Sequence, residues 1–215
     1  MRLQNKVAII TGAARGIGAA FAEAYVREGA YVVIADIDIQ RAEETAKRIG
    51  PHASAVALDV TNQISIDACV AEVEKRHGGI DILINNASAI NLTRTDQTPA
   101  KRFDLMFDVN VRGTFLTSQA ALPHLRKSAA EGRNPHILNL SPPLSMKPVW
   151  FKNHVAYTMA KYGMSMCVLG MAEEFKRDGI GVNALWPRTV IDTAALQMIP
   201  GIDAAAGRTP EILAD

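Results

Sequence analysis

The sequence predicts an α/β fold, in which a doubly wound parallel sheet carries helices on both of its faces. Two observations support this prediction. Segments with strand character alternate strictly with segments of helical periodicity, and the strand segments are apolar almost throughout, as strands covered on both sides are. Right-handed crossovers between successive parallel strands then place helices on both faces of the sheet.

The first half of the chain contains four predicted strands and three predicted helices. Each strand is a short apolar run rich in β-branched residues, and each helix shows apolar residues at helical spacing. Gly50 closes the second helix, because glycine readily adopts the backbone conformation that ends helices. In order, the elements are KVAIIT (6–11), GAAFAEAYVREG (18–29), YVVIAD (31–36), IQRAEETAKRIG (39–50), ASAVALDV (53–60), a helix over 62–77, and IDILINN (80–86).

The second half continues the same alternation with longer helices. A helical region follows Pro99 and extends to about Lys127, and a second long helix covers 155–179. The strands between and after these helices are HILNLS (136–141) and IGVNALWP (180–187).

Composition excludes several classes of partner. The 215 residues are 48% hydrophobic and 21% charged, with a net charge of +1, so nothing favours nucleic acid or an anionic membrane electrostatically. The apolar runs are strand-sized, so no membrane span is expected. Cys69 and Cys167 lie far apart and the five histidines lack ligand spacing. We therefore expect free thiols in a reducing cytoplasm and no metal site.

The residues of chemical interest follow the predicted strands directly. In a doubly wound sheet, ligands bind outside the carboxyl ends of the strands, so these residues are expected to form one rim. They are Thr11–Gly12, Asp36, Asp59, Asn85–Ala87, Ser141 and Pro187.

The segment TGAARGIG (11–18) joins the first strand to the first helix. Gly12 allows a sharp turn, Gly16 allows the backbone to approach a pyrophosphate, and Gly18 allows close packing of helix on strand. The complete order of strand, glycines, helix, strand and acid is the context that this fingerprint requires. It predicts a Rossmann-like dinucleotide site with the phosphates at the helix N-terminus.

Asp36, at the end of the second strand, favours NAD(H) over NADP(H). Its carboxylate can accept hydrogen bonds from the adenosine ribose. The 2′-phosphate of NADP(H) would instead be repelled by the like charge of the carboxylate. At a separation of ~4 Å and an effective dielectric of ~20, this repulsion is about 4 kcal/mol per charge pair. Arg15 and Arg41 would reduce this preference by pairing with a phosphate, so NADP(H) stays the alternative. Asp59 either contacts the adenine or caps the third helix.

Tyr157 and Lys161 lie four residues apart on a predicted helix and therefore share one face. A tyrosine with a pKa of ~10 needs a shift of about three units, roughly 4 kcal/mol, to act as a base near pH 7. An exposed pair on a helix supplies only ~0.3–0.5 kcal/mol, so the lysine and a bound nicotinamide cation would have to act together. The alternative is a buried tyrosine ring with a lysine extending past it to solvent.

The combination of these motifs resembles the short-chain dehydrogenase/reductase family over nearly the whole chain. The matching motifs are TGAARGIG, Asp36, the pair Asp59–Val60, NNA at 85–87, Asn110 in VNVRG and YTMAK at 157–161. The resemblance implies that Tyr157 exchanges a proton with the substrate oxygen, that Lys161 holds the nicotinamide ribose and that Asn110 supports a water-linked proton relay. The cofactor contacts that it implies are Gly12, Arg15, Gly16, Ile17, Gly18, Asp36, Asp59, Val60, Asn86, Ala87, Tyr157, Lys161, Pro187 and Val190.

The chain departs from the family pattern at the residue that usually hydrogen-bonds the substrate oxygen. That serine normally lies thirteen positions before the tyrosine, where this chain has Leu144. Ser141 is our candidate for the role, with Ser145 as the alternative. The other interpretation is that both serines serve only as turn residues. Two further departures are NNAS in place of NNAG, which puts the Ser88 side chain near the nicotinamide edge, and Arg188 after Pro187 in place of glycine.

The two halves of the chain resemble different branches of the family. Residues 1–84 are similar to sorbitol and galactitol dehydrogenases, whereas the sequence from NNASAINLT onward is similar to the hydroxysteroid dehydrogenase-like type two group. We expect one dinucleotide-binding domain over 1–215 that ends before the family's last helix and strand. An open sheet edge would follow, so we expect the chain either to be less stable than its family or to cover this edge by self-association into a homo-oligomer.

The sequence thus favours an enzyme that transfers a hydride between NAD(H) and a secondary alcohol or ketone, an apolar small molecule. The alternative is a non-catalytic NAD(P)-binding protein of the same fold, because the usual serine is absent. A nucleoside-sugar epimerase, which also uses a Tyr-x-x-x-Lys pair, would need a larger C-terminal domain.

Overall fold

The computed structural model describes residues 1–193 and 207–214. Its centre is a parallel sheet of six strands in the order β3-β2-β1-β4-β5-β6. The strands are β1 (Val7–Thr11), β2 (Tyr31–Asp36), β3 (Ala53–Ala57), β4 (Ile82–Asn85), β5 (His136–Leu140) and β6 (Gly181–Leu185). The strand order reverses direction between β1 and β4, and a crevice for a ligand opens at such a point. The predicted doubly wound sheet is confirmed.

In the described part of the chain, six α-helices connect and cover these strands. They are α1 (Gly16–Arg27), α2 (Ile39–Ile49), α3 (Gln63–His77), α4 (Ala100–Met106), α5 (Thr114–Ala130) and α6 (Val155–Glu174). Successive residues of β1 point to opposite faces of the sheet. Val7 and Ile9 pack in the core under α3, α5 and α6, whereas Ala8 and Ile10 pack in the core under α1 and α2. Both faces of the sheet are therefore buried.

Most predicted boundaries agree with the structure within two residues, and two differ for identifiable reasons. The third strand ends at Ala57 rather than at residue 60, because Asp59 N donates to Ser65 Oγ and the chain turns toward α3. The last helix ends at Glu174, and the following turn Lys176–Asp178 is closed by Gly179 at φ 71°.

The long helical region predicted after Pro99 is one helical run in three parts. Between α4 and α5 the segment Phe107–Gly113 is π-helical, a form that recurs at functional sites. Gly113 is the last residue of this segment. The backbone approaches Val60 closely there, since a Cβ on Gly113 would lie 2.9 Å from Val60 Cγ2. The helix therefore packs directly against the turn that follows β3.

The chain beyond β6 returns to the body of the fold. Ile191 forms a β-bridge with Arg208, and Leu213 and Ala214 pack against the core under α1 and α2. Within residues 1–193 and 207–214, no helix is both long and apolar enough to cross a membrane, and no cluster of three or more His, Cys, Asp or Glu side chains is arranged to hold a metal ion. Cys69 and Cys167 are free.

Candidate active site

A cavity of about 1170 Å³ opens at the carboxyl ends of the strands. It collects most of the predicted site residues from distant parts of the sequence. Those that line it are Gly12, Arg15, Gly16, Ile17, Asp36, Asp59, Val60, Asn86, Ala87, Ser141, Tyr157, Lys161 and Pro187. Gly18, Asn110 and Val190 were also predicted to belong to the site, and the structure does not bring these three to the cavity wall.

The glycine turn has a conformation that other residues would strain. Gly12 has φ 64° and Gly16 has φ 59°, both in the left-handed region that favours glycine. A Cβ on Gly12 would lie 2.8 Å from Ala87 Cα, and one on Gly18 would lie 2.7 Å from both Ala13 Cα and Asn86 Nδ2. Gly18 therefore allows close packing behind the cavity, in the role that its position in the motif predicted.

Hydrogen bonds lock the glycine turn to the segment that follows β4. Asn86 Nδ2 donates to the carbonyl oxygens of Thr11 and Gly12, both at 2.9 Å. Thr11 Oγ1 accepts from the backbone N–H groups of Asn86 at 3.1 Å and Ala87 at 3.0 Å. Two rim segments more than seventy residues apart in the chain are thereby held as one rigid surface.

Asp36 is engaged with the glycine turn as well as facing the cavity. Its Oδ2 accepts from Ala14 N at 2.9 Å, and its Oδ1 accepts from Asp38 N at 3.0 Å. Of the two arginines considered near it, Arg15 is exposed and lines the cavity, whereas Arg41 pairs with Asp38 at 3.9 Å.

The structure resolves the alternatives for Asp59. The N-cap of α3 is Asn62, whose side chain accepts from the N–H groups of Ile64 and Ser65. Asp59 instead accepts from Thr61 N at 2.9 Å and from Thr61 Oγ1 at 2.7 Å, and it lines the cavity. The interpretation of Asp59 as a helix cap is therefore wrong.

Tyr157 and Lys161 both face the cavity from the first turns of α6. The Tyr157 ring packs beside Met106, Ala156 and Ala160. Lys161 Nζ donates to Leu140 O at 2.5 Å, at the end of β5. The pair thus joins α6 to the end of a strand within the rim, as the spacing predicted.

Burial is the main cause of the pKa shifts of both Tyr157 and Lys161. Burial raises the pKa of the Tyr157 phenol above its ordinary value, and the only opposing influence on it comes from the side chain of Ser88. Burial lowers the pKa of Lys161 to about 8. The predicted lowering of the Tyr157 pKa requires Lys161 and a bound nicotinamide cation together, so it stays a prediction. In the protein by itself, burial disfavours the charged form of both groups.

This buried lysine predicts a pH dependence of stability. Between pH 8 and about 10.5 the unfolded chain holds the Lys161 proton and the folded chain does not, so unfolding takes up a proton and the free energy of unfolding rises with pH. Lys161→Met lacks this contribution. We expect the natural chain to gain stability relative to the variant, by up to about 3 kcal/mol, as pH rises through this window.

Urea unfolding at several pH values from 7 to 10 measures this difference. Lys152→Met, an exposed lysine of the loop before α6, is the matched control and should leave the pH profile unchanged. Parallel profiles for the natural chain and Lys161→Met would show that the lysine is not desolvated.

The two serine candidates differ in their surroundings. Ser141 is only 2% exposed, and its Oγ is buried without a hydrogen-bond partner at the cavity wall. Ser145 Oγ accepts from Lys147 N at 3.3 Å in a local turn. Leu144, at the position of the family's usual serine, also lines the cavity. Ser141 thus has a free hydroxyl beside the site, but solvent does not reach it.

Asn110 lies behind the cavity wall. It is fully buried in the π-helical segment, where its Oδ1 accepts from Ala89 N at 2.8 Å and its Nδ2 donates to Ala89 O at 3.0 Å. Both polar atoms of the side chain therefore hold the loop after β4. A proton relay through Asn110 stays a prediction, and the side chain shown here acts on the backbone of Ala89 instead.

Sequence reasoning missed the apolar wall of the cavity. Trp150 and Trp186 meet edge to face with ring centroids 6.3 Å apart, and both line the cavity. Thr158 Oγ1 donates to Trp150 O at 2.6 Å and anchors that loop to α6. These are the only two tryptophans of the chain. Trp186 lies near the carboxyl end of a predicted strand, which is a signal that would have placed it at the rim, whereas Trp150 lies in a loop for which the sequence offers no such signal. Other apolar lining residues are Ile90, Leu92, Leu105, Val109 and Leu144.

Comparison with known proteins places these features in a family. The family model described as short chain dehydrogenase matches residues 6–200. Hydroxysteroid dehydrogenase-like protein 2 of Danio rerio is 52% identical over 225 residues, and that of Homo sapiens is 51% identical over 226 residues. Each alignment covers 100% of this chain and 53% of the relative. The chain thus spans about half the length of these curated relatives, and the similarity extends through both of its halves.

Solved structures agree with this assignment. A structure described as a putative dehydrogenase from Xanthomonas campestris superposes with a TM-score of 0.91 at 48% identity, covering 100% of this chain and 81% of that one. The 3-ketoacyl-(acyl-carrier-protein) reductase of Brucella melitensis, solved with NADH, gives 0.87 at 30% identity, covering 99% and 88%. From its sequence, its fold and the residues of its cavity, the chain belongs to the short-chain dehydrogenase family.

Proposed function

We propose that this protein transfers a hydride between NAD(H) and a secondary alcohol or ketone, with Tyr157 as the general acid and base. The observation that carries the proposal is that one cavity contains both the glycine turn and the Tyr157–Lys161 pair. A dinucleotide extends from its pyrophosphate to its reactive ring, so a site needs these two ends in a single cleft. We further propose that residues 1–215 act as one dinucleotide-binding domain.

The residues at the phosphate end fit a dinucleotide. The helix α1 begins at Gly16 without a side-chain cap and without an acidic residue in its first turn, so its own first turn supplies no carboxylate to neutralise the N-terminal dipole. Gly12 and Gly16 add no Cβ to the turn in front of it. A pyrophosphate would accept hydrogen bonds from these N–H groups, and Asp36 would accept from the adenosine ribose.

The reacting end fits an apolar substrate. Trp150, Trp186 and the aliphatic side chains named above give the cavity an apolar lining, which binds an uncharged carbon skeleton better than a polyol. The Brucella melitensis neighbour is named a 3-ketoacyl reductase, and the curated relatives are named for hydroxysteroids. These names support a hydroxyl or carbonyl group on an apolar skeleton.

Tyr157 exchanges the proton with the substrate oxygen. When bound, the nicotinamide accepts or supplies the hydride. In the direction of carbonyl reduction, the raised pKa keeps the phenol protonated at neutral pH, ready to donate its proton to the substrate oxygen. In the direction of oxidation, the Tyr157 oxygen must receive the hydroxyl proton. Lys161, held at Leu140 O, would contact the nicotinamide ribose.

The proposal is tested by the absorbance of the reduced nicotinamide. The protein is mixed with NAD or NADP and a panel of secondary alcohols, or with the reduced cofactors and the matching ketones. Cofactor binding without turnover on any substrate would favour a non-catalytic NAD(P)-binding protein. That second candidate is supported by Leu144 at the usual serine position and by the shielded hydroxyl of Ser141.

The proposed preference for NAD(H) depends on the charge of Asp36. Asp36→Asn keeps an oxygen for Ala14 N but removes the charge that would repel a 2′-phosphate. We expect the ratio of the Kd for NADPH to the Kd for NADH to fall about tenfold, which corresponds to ~1.4 kcal/mol. Fluorescence titration with both cofactors measures the ratio.

Asp38→Asn is the matched control for this measurement. Asp38 is two residues further on and caps α2 by accepting from Arg41 N at 3.1 Å, and it does not line the cavity. An unchanged ratio in Asp36→Asn, or an equal change in both variants, would remove Asp36 as the determinant of cofactor choice.

A further inference from the structure

The side chain of His154, the residue directly before α6, is held by the hydroxyl of Thr158. Thr158 Oγ1 donates its single proton to Trp150 O at 2.6 Å, because a carbonyl oxygen can only accept. His154 Nδ1 lies 2.9 Å from the same hydroxyl oxygen, which has no second proton to donate. Nδ1 must therefore carry the proton of the neutral ring and donate it to Thr158.

This tautomer leaves the other ring nitrogen of His154 as a hydrogen-bond acceptor. A neutral imidazole with its proton on Nδ1 has a bare lone pair on Nε2. Among the residues that the structure describes, none bonds Nε2, and this atom is not one of the unpartnered polar atoms sealed in the interior. Thr158 itself is only 6% exposed, so the bond that fixes the ring is protected from water.

His154 belongs to the part of the cavity wall that carries Tyr157. It lies three residues before Tyr157 and four residues after Trp150, and all three side chains line the cavity. The phosphate end of the same cavity is built from other parts of the chain, the glycine turn and the residues that follow β2 and β3. An apolar pocket orients its ligand through a few polar groups at defined points, and His154 Nε2 is an unused group of this kind.

The geometry points to His154 as a specificity-determining residue, whose Nε2 accepts a hydrogen bond from a second hydroxyl group of the substrate, apart from the one that reacts. This inference rests on the proposed function and narrows its substrate class to an apolar skeleton with one further hydroxyl. A carbonyl, ether or ester oxygen at that point has no proton to donate and would meet the lone pair of Nε2. The opposite tautomer would select those oxygens instead, so the bond from His154 to Thr158 decides the preference.

The proposal predicts that His154 favours a diol over the matching mono-alcohol. The probes are cyclohexanol and cyclohexane-1,2-, 1,3- and 1,4-diol, whose Kd values are measured with NADH present so that no hydride transfer occurs. His154→Phe keeps a planar ring and removes the acceptor. We expect the ratio of the Kd for cyclohexanol to the Kd for the best diol to fall about tenfold in this variant, the contribution of one hydrogen bond.

Three further variants separate this role from a structural one. Thr158→Val removes the hydroxyl that holds Nδ1 and should reduce the ratio as well, whereas Thr158→Ser keeps a hydroxyl and should restore it. His52→Phe is the matched control, because His52 stacks on Tyr31 and does not line the cavity, and it should leave the ratio unchanged.

Nitrogen-15 NMR of the histidine rings reads the tautomer directly. Spectra at about pH 9 report neutral rings, and comparison with His154→Phe assigns the signals of His154 among the five histidines. We expect the proton of His154 on Nδ1 in the natural chain, and a change in the Nε2 signal when the best diol is added. Neither this measurement nor the Kd ratio requires turnover.

A proton found on Nε2 in the natural chain would overturn the proposal. A ratio that is unchanged in His154→Phe, an equal change in His52→Phe, or an Nε2 signal that no diol alters would overturn it as well. A chain that binds diols through Nε2 but turns over no alcohol would contradict the proposed function alone. Turnover of alcohols without any diol preference would contradict this inference alone.

Discussion

Replacing Tyr157 with phenylalanine is expected to reduce turnover by about 10²–10⁴-fold, the contribution of a positioned acid or base. Phenylalanine keeps the ring that packs beside Met106, Ala156 and Ala160, so α6 and the cavity should retain their shape. Only the oxygen that exchanges the substrate proton is lost. Nucleotide binding should therefore stay close to that of the natural chain, which separates a loss of chemistry from a loss of structure.

Rates with a responsive substrate and Kd for NADH, measured on the same preparations, check this prediction. Tyr31→Phe is the matched control, because Tyr31 stacks against His52 and His77 away from the cavity. A Tyr157→Phe protein that retained its rate would show that another group moves the proton.

Replacing Gly12 with alanine is expected to weaken NADH binding by about tenfold to a hundredfold. The new Cβ would lie 2.8 Å from Ala87 Cα and 3.1 Å from Ala87 N, and the residue would have to keep φ 64°. Because Ala87 is held by Thr11, the turn itself must move, and its N–H groups move with it. Strain of about 1–3 kcal/mol at such a position accounts for the expected loss in affinity.

Gly78→Ala separates backbone strain from the steric contact. Gly78 has φ 79° at the end of α3, but a Cβ there meets no atom within 4 Å. Both variants should lose about 1–2 kcal/mol of unfolding free energy from the left-handed conformation, and only Gly12→Ala should lose affinity as well. Titration of NADH fluorescence together with urea unfolding measures both quantities. Equal affinities in the two variants would mean that the glycine turn does not bind the cofactor.

The fold was largely predictable because its signals are local. Apolar runs with β-branched residues predicted the six strands of the sheet, and the burial of the central strands β1, β2 and β4 is what a parallel sheet between two helical layers requires. Gly50 and Gly78 end helices through their own backbone freedom. Each of these features depends on a few neighbouring residues, so the sequence contains it directly.

The parts that sequence reasoning missed depend on contacts between distant segments. The sequence left Asp59 either as an adenine contact or as the cap of α3. The structure excludes the cap, because Asn62 caps α3 instead. Sequence reasoning gave no sign that the Asn110 side chain binds the backbone of Ala89, and the relay that the family resemblance implies for Asn110 stays a prediction. No local pattern indicates which backbone group a buried side chain will meet.

The sequence by itself determined the order of strands and helices, the glycine turn, the acid after the second strand and the shared face of Tyr157 and Lys161. Only the tertiary structure decided how burial shifts the pKa values of those two groups. The physical reason is that a pKa depends on how much water the surrounding segments exclude and on which dipoles they supply. Those segments come from β4, β5, α4 and α6, and they meet only when the chain has folded.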